Sequence, residues 1–113
     1  MADWKELIPW NERIIFASNG NFGDPGMPKV GMLILSKKKV FVIYSGGIMP
    51  DVPRLHRSIP LLKMHNIRVT GSVMMALEFD YEFREKKEHL KFTSFDYEVL
   101  KLLEDIEYAR DNP

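Results

Sequence analysis

The chain changes periodicity once, late, and that switch limits its fold more than any other feature. Met75-Ala76-Leu77-Glu78-Phe79-Asp80-Tyr81-Glu82-Phe83 alternates apolar with charged or small side chains. A strand points successive side chains to opposite faces, so Met75, Leu77, Phe79, Tyr81 and Phe83 are expected to face a core and Glu78, Asp80 and Glu82 to face water. A charged turn, Arg84-Glu85-Lys86-Lys87, leads to Glu88-His89-Leu90-Lys91-Phe92, which alternates again. Then the spacing becomes helical. Phe95, Val99, Leu102, Leu103 and Ile106 form one apolar stripe, with Glu104, Glu107 and Arg110 opposite. Thr93 or Ser94 is the expected amino-terminal cap, and Asp96 and Glu98 complement the positive end of the helix. The pattern predicts a helix over 94–111 closing a body of strands.

Upstream the signals are of strands and turns. Glu12-Arg13-Ile14-Ile15-Phe16-Ala17-Ser18 reads as a strand stopped by Asn19-Gly20. The stretch from Asn19 to Pro28 is rich in Gly, Asn and Pro and reads as a loop. Val30-Gly31-Met32-Leu33-Ile34-Leu35 and Lys39-Val40-Phe41-Val42-Ile43-Tyr44, parted by Ser36-Lys37-Lys38, read as a hairpin. Both runs are apolar on successive positions, so both faces need cover. A lead helix carrying Trp4, Leu7, Ile8 and Trp10 would supply it within the chain, and self-association would supply it from outside. Ser45 to Pro53 is a second long loop. A strand from Leu55 to Lys63 contains Pro60, which requires an edge or a bend there, and Asn66 to Thr70 alternates up to Gly71.

Length and composition fit this reading. The chain has 113 residues, 45% hydrophobic and 28% charged, the profile of one globular domain over 1–113. Its parts are a lead segment over 1–11, a β meander over 12–93 and the helix over 94–111. No run approaches the ~20 apolar residues that span a bilayer. The amino end carries acids and a Trp where a signal peptide needs a basic and then an apolar stretch. The expected compartment is the cytoplasm, peripheral to a membrane if lipid is bound.

Four strings, in order, carry a family resemblance. They are Leu7-Ile8-Pro9-Trp10-Asn11-Glu12-Arg13-Ile14 leading into the first strand, the hairpin from Gly31 to Val42, Ser58-Ile59-Pro60-Leu61-Leu62 with Ile67-Arg68-Val69, and the last strand running through Phe95-Asp96-Tyr97 into the helix. In these the chain resembles the bacterial and archaeal pleckstrin-homology-like domains, of which the GRAM-type domain is a relative. The resemblance implies a mainly β fold, a barrel of two near-orthogonal antiparallel sheets of about seven strands capped by a carboxy-terminal helix. It also implies that the loops after strands one, three and six gather at an open end where ligands bind. On this chain that end would hold Phe22, Met27 and Lys29, then Ile48, Met49, Arg54 and Arg57, then Arg84, Lys86 and Lys87. Apolar tips ringed by cations suit a lipid headgroup surface or an acidic peptide. The first loop lacks the dense basic cluster of phosphoinositide-binding members.

The charges are unevenly placed. Met1 to Leu77 carries 10 basic against 5 acidic residues and Glu78 to Pro113 carries 6 against 11, so opposite charges of equal size cancel over the chain. Lys37, Lys38 and Lys39 form a basic turn able to hold a phosphate, and no aromatics interleave with it to stack bases, so nucleic acid is not expected. With zero Cys, thiol nucleophiles and Cys-ligated metals are excluded. His56, His65 and His89 have no metal-ligand spacing, and Ser45-Gly46-Gly47 lacks the Lys and helix of a phosphate loop. No metal site, cofactor or nucleophile–base pair can be assembled, so an enzyme is not expected. The expected function is a non-catalytic binding module that engages a protein partner or a second copy of itself through the open-end loops or a sheet edge. Binding to an anionic lipid surface through the basic loops is the alternative.

Overall fold

The alternation from Ala76 to Phe83 becomes a strand because each inward side chain finds a buried partner across the molecule. Leu77, Phe79 and Tyr81 are buried, whereas Glu78, Asp80 and Glu82 remain at least partly exposed. The computed structural model describes residues 4–23, 29–45 and 53–112. Its strands are β1 (Ile14–Phe22), β2 (Lys29–Ser36), β3 (Lys39–Ser45), β4 (Pro53–Pro60), β5 (Met64–Thr70), β6 (Ala76–Phe83) and β7 (Lys86–Thr93). A single-turn 3-10 helix, Trp4–Leu7, precedes them, and another, Leu61–Lys63, joins β4 to β5. The helix α1 (Asp96–Asp111) follows β7.

All seven strands are antiparallel neighbours in the order β4-β3-β2-β1-β7-β6-β5, so β4 and β5 are the edges. Among the described residues the two halves of the ladder meet over a short stretch, where Asn21 and Phe22 of β1 pair with Thr93 and Phe92 of β7 and the Gly23 amide donates to the Lys91 carbonyl at 3.1 Å. That junction explains why β1 runs past Asn19-Gly20, the expected stop. Gly20 lies opposite Gly31 of β2. A Cβ on Gly20 would collide with the Thr93 carbonyl and the Phe92 ring, and one on Gly31 with the Ile43 carbonyl. These glycines serve close approach of strands instead of a turn.

Pro60 ends β4, and β4 is an edge strand, so a missing N–H there breaks no ladder between neighbours. The β6–β7 turn is tighter than the sequence suggests. Only Arg84 and Glu85 form it, with φ of 50° and 65°, the left-handed pair whose twist matches the flanking strands. Lys86 and Lys87 therefore open β7 and pair with Phe83 and Glu82.

The main core lies between the strands and α1. Leu33, Leu35, Val42, Leu77, Phe79 and Phe92 pack with Val99, Leu102 and Ile106 of the helix. Leu103 is partly buried against this core and Ala109 is buried with it, but Phe95 is exposed. The helix starts later than expected: Phe95 is its cap residue, with extended backbone and no side-chain cap bond. Thr93 is held in β7, and the Ser94 hydroxyl lies 2.6 Å from the Asn19 carbonyl and 2.8 Å from Glu98. A second cluster covers the outer face of the β2–β3 hairpin, where Ile8 is buried against Ile34, Phe41 and Ile43, flanked by Trp4 and Leu7. The lead segment thus covers the second apolar face. Trp10 takes no part, being 96% exposed.

Candidate functional site

The open end is where the sequence placed most of its binding residues. Phe22 is a correction. Because β1 continues to Phe22, alternation turns this ring inward, where it is buried against Phe92 at 4.9 Å and Tyr44 at 6.1 Å. Met27, Ile48 and Met49 lie outside the described residues. Lys29 opens β2 with its ammonium 4.7 Å above the Tyr44 ring. Arg54 pairs with Tyr44 in the β3–β4 ladder and is exposed, as are Lys86 and Lys87.

Arg57 is not a free cation. Its guanidinium lies 3.9 Å from the Phe83 ring centre, bonds the His56 carbonyl at 3.0 Å and pairs with Glu88 at 3.3 Å. Arg84 approaches the same Phe83 ring at 5.1 Å. The Tyr81 hydroxyl donates to Glu88 at 2.7 Å. Burial, then the Glu88 carboxylate, pushes the Tyr81 phenol up to about 12. That hydrogen bond, with Arg57 beside it, holds Glu88 below the usual carboxylate range. Burial, helped by Arg57 and Lys29, lowers the His56 imidazole, whose Nδ1 is 2.7 Å from the Tyr44 hydroxyl. Lys29, Tyr44, His56, Tyr81 and Glu88 line a cleft of about 250 Å³. Arg57, Tyr81 and Glu88 thereby link β4 to the β6–β7 hairpin, strands that share no ladder. A phenol held this high is no base near neutral pH, and a carboxyl held low is no acid. The arrangement acts as a clasp.

A second polar group lies on the outer face of β6 and β7. Asp80 sits opposite His89 and Glu78 opposite Lys91 in the ladder. His89 Nδ1 is 2.7 Å from Asp80 and Nε2 is 2.8 Å from Glu78. Asn66 donates to Asp80 at 3.0 Å, and the Thr70 hydroxyl donates to Glu78. Both ring nitrogens are engaged as donors when His89 is protonated, leaving no lone pair for a metal. Among the described residues no set of three or more His, Asp and Glu is placed to hold a metal ion.

This group sets a pH response. The Asp80 hydrogen bond, then Glu78, raises the His89 pKa, so its contribution is complete below the unfolded value near 6.5 and is lost as pH rises through the folded one. Glu78 is lowered chiefly by Thr70 and Asp80 chiefly by Asn66. Their contributions hold above the unfolded carboxylate values and vanish as pH falls through the folded ones. The lowered His56 acts in the opposite sense over this range, so the His89 part is read by difference. His89→Gln is expected to lower the thermal midpoint more near pH 6 than near pH 9, and that gap is the measured quantity. With 43% of its side chain exposed, His89 is screened by salt, so high ionic strength should also shrink it.

The basic turn is separate from these sites. Lys37 and Lys38 are exposed at the far end of β2 from Lys29, and Lys39 is 3.9 Å from Glu12. An apolar surface absent from the expected sites lies where the β5–β6 loop meets the start of α1. There the Met75 amide donates to Asp96 at 3.3 Å, and Val73, Met74, Phe95 and Tyr97 are exposed. The signal was present in Val73-Met74 following Gly71, outside the strand alternation, and in Phe95 standing before the first helical turn.

No protein-family model matches the chain, and no curated protein does. Solved structures do. The chain is similar to the hSac2 domain of the human phosphoinositide phosphatase Sac2, with TM-score 0.71 and 14% identity over 95% of this chain and 76% of that one. It is similar to the Vps36 N-terminal PH domain, with TM-score 0.63 and 13% identity over 94% and 84% of the two chains. It is also similar to a pleckstrin homology domain from Shewanella amazonensis, with TM-score 0.57 and 16% identity over 94% and 90%. The seven antiparallel strands and carboxy-terminal helix are a pleckstrin-homology-like fold. No helix among the described residues is long and apolar enough to cross a membrane.

Proposed function

We propose that this pleckstrin-homology-like fold serves as a non-catalytic protein-interaction module, and that its contact surface is the junction of the β5–β6 loop with the start of α1. Val73, Met74, Phe95 and Tyr97 carry the proposal. They are 91%, 60%, 70% and 72% exposed on two segments tied together by the Met75–Asp96 bond. The Phe95 and Tyr97 rings stack at 6.0 Å, 9° from parallel. Large rigid aromatics on a fixed surface are the side chains that anchor protein partners. Asp96 and Glu98 border the patch, a charge that repels an anionic bilayer. At the open end Phe22 is buried and Arg57 is engaged by Glu88, which leaves a lipid headgroup Lys29, Arg54, Lys86 and Lys87.

A photoreactive phenylalanine in place of Tyr97, in the cell that makes this protein, is expected to give a discrete protein adduct. The same probe in place of Glu107 should give none, and Val73→Ser should abolish the Tyr97 adduct. Wild-type protein is expected to remain in the supernatant with vesicles of phosphatidylserine and phosphoinositides. Pelleting that disappears in Lys29→Ala/Arg54→Ala would overturn the proposal in favour of lipid binding at the open end.

A further inference from the structure

The end of the barrel where β2 turns into β3 is built differently from the rest of the surface. Three chain segments are joined there through their backbones. The Lys37 amide donates to the Arg13 carbonyl at 3.0 Å, and the Leu61 amide donates to the Lys38 carbonyl at 2.9 Å. Buried Ser36 closes the turn from within, its hydroxyl accepting from the Lys39 amide at 3.0 Å. Lys37 and Lys38 are thus presented from a turn whose backbone is fixed on both sides.

Beside this turn runs a trench against the last turns of α1. One part, about 370 Å³, is lined by Lys37, Lys38, Pro60, Leu61, Leu62 and Arg110. The next, about 450 Å³, is lined by Arg13, Ile15, Asp105 and Tyr108, and shares Lys37 and Ala109 with the first. Leu61 and Ala109 are buried in its floor, while Ile15, Leu62 and Tyr108 expose apolar surface along its walls. The rim is cationic. Arg13, Lys37, Lys38 and Arg110 have no carboxylate partner among the described residues, and Asp105 is held by Lys101 at 3.0 Å.

We propose that this trench docks an acidic amphipathic segment of a partner protein, its carboxylates meeting Lys37, Lys38 and Arg110 and its apolar side chains filling the floor over Leu61 and Ala109 against the wall formed by Leu62. Charge complementarity selects an anionic occupant. The recessed floor selects a chain over a bilayer, because membrane contact needs apolar groups that project beyond the charges. The site lies at the opposite end of α1 from Phe95 and Tyr97 and does not depend on the role assigned to them.

A fluorescent amphipathic peptide with Glu on one face and Leu and Phe on the other is the probe, read by anisotropy on the full chain. Binding is expected to weaken by at least about tenfold in Lys37→Glu/Lys38→Glu. It should weaken in Leu62→Ser without a change in salt dependence, and stay unchanged in Lys86→Glu/Lys87→Glu. All these positions are exposed, and an unchanged unfolding midpoint confirms that each variant is folded. Equal binding of a peptide with Lys in place of Glu, or equal loss in the Lys86/Lys87 variant, overturns the trench as the site. So does pelleting on phosphatidylserine vesicles that needs Lys37 and Lys38 when the peptide does not bind. Self-association by sedimentation that is abolished by Lys37→Glu/Lys38→Glu identifies a second copy as the occupant and overturns the partner assignment.

Discussion

Leu102→Ala is expected to destabilise the chain by about 2–5 kcal/mol, read as a lowered denaturation midpoint by urea with little change in slope. Leu102 is fully buried where α1 meets the strands. Removing its branched end takes away apolar burial and leaves a void that neighbours on a rigid sheet do not fill. A domain of this size has about 5–15 kcal/mol in all, so the loss is a large share. Leu100, two residues earlier on the same helix, is about half exposed. Leu100→Ala is expected to stay within about 0.5 kcal/mol. Equal effects in the two variants would mean that α1 does not close the barrel.

Ile8→Asp is expected to make the chain self-associate beyond the wild-type level. Ile8 is the buried member of the lead segment on the outer face of β2 and β3. A carboxylate there, without a partner, is expelled to water and takes Trp4 and Leu7 with it. Ile34, Phe41 and Ile43 would then lose the cover given by the lead segment, an apolar face of the kind that drives association. Sedimentation velocity should show concentration-dependent larger species for Ile8→Asp and none beyond wild type for Trp10→Ala, whose ring touches little. An unchanged sedimentation profile for Ile8→Asp would show that the lead segment is dispensable as cover.

Much of the architecture was legible because side-chain period alone separates strand from helix. The alternation of β6 and β7 and the stripe Val99, Leu102 and Ile106 needed nothing beyond the order of residues. The end of β1 was not legible. Asn19 and Gly20 are turn formers by local preference, but pairing to β2 and the crossing of β7 override that preference. Phe22 changed from loop tip to core side chain through the same override. The polar group around His89 was within reach. A two-residue turn at Arg84-Glu85 sets a register in which Asp80 faces His89, whereas a four-residue turn hides it. Arg57 and Glu88 are 31 residues apart and meet only because the barrel curls, which no spacing along the chain encodes. The trench likewise gathers three distant turns, of which the lysines of one were visible.

The two flanks of the ladder shape how such an apolar chain behaves in a crowded solution. Pro53 and Pro60 stand at either end of β4 and donate no N–H. On β5, Asn66 adopts a left-handed backbone at φ 54°, and the register slips between His65 and Arg68. Neither flank offers a straight, fully donating template, so end-on growth of the kind that builds fibrils is frustrated on both sides.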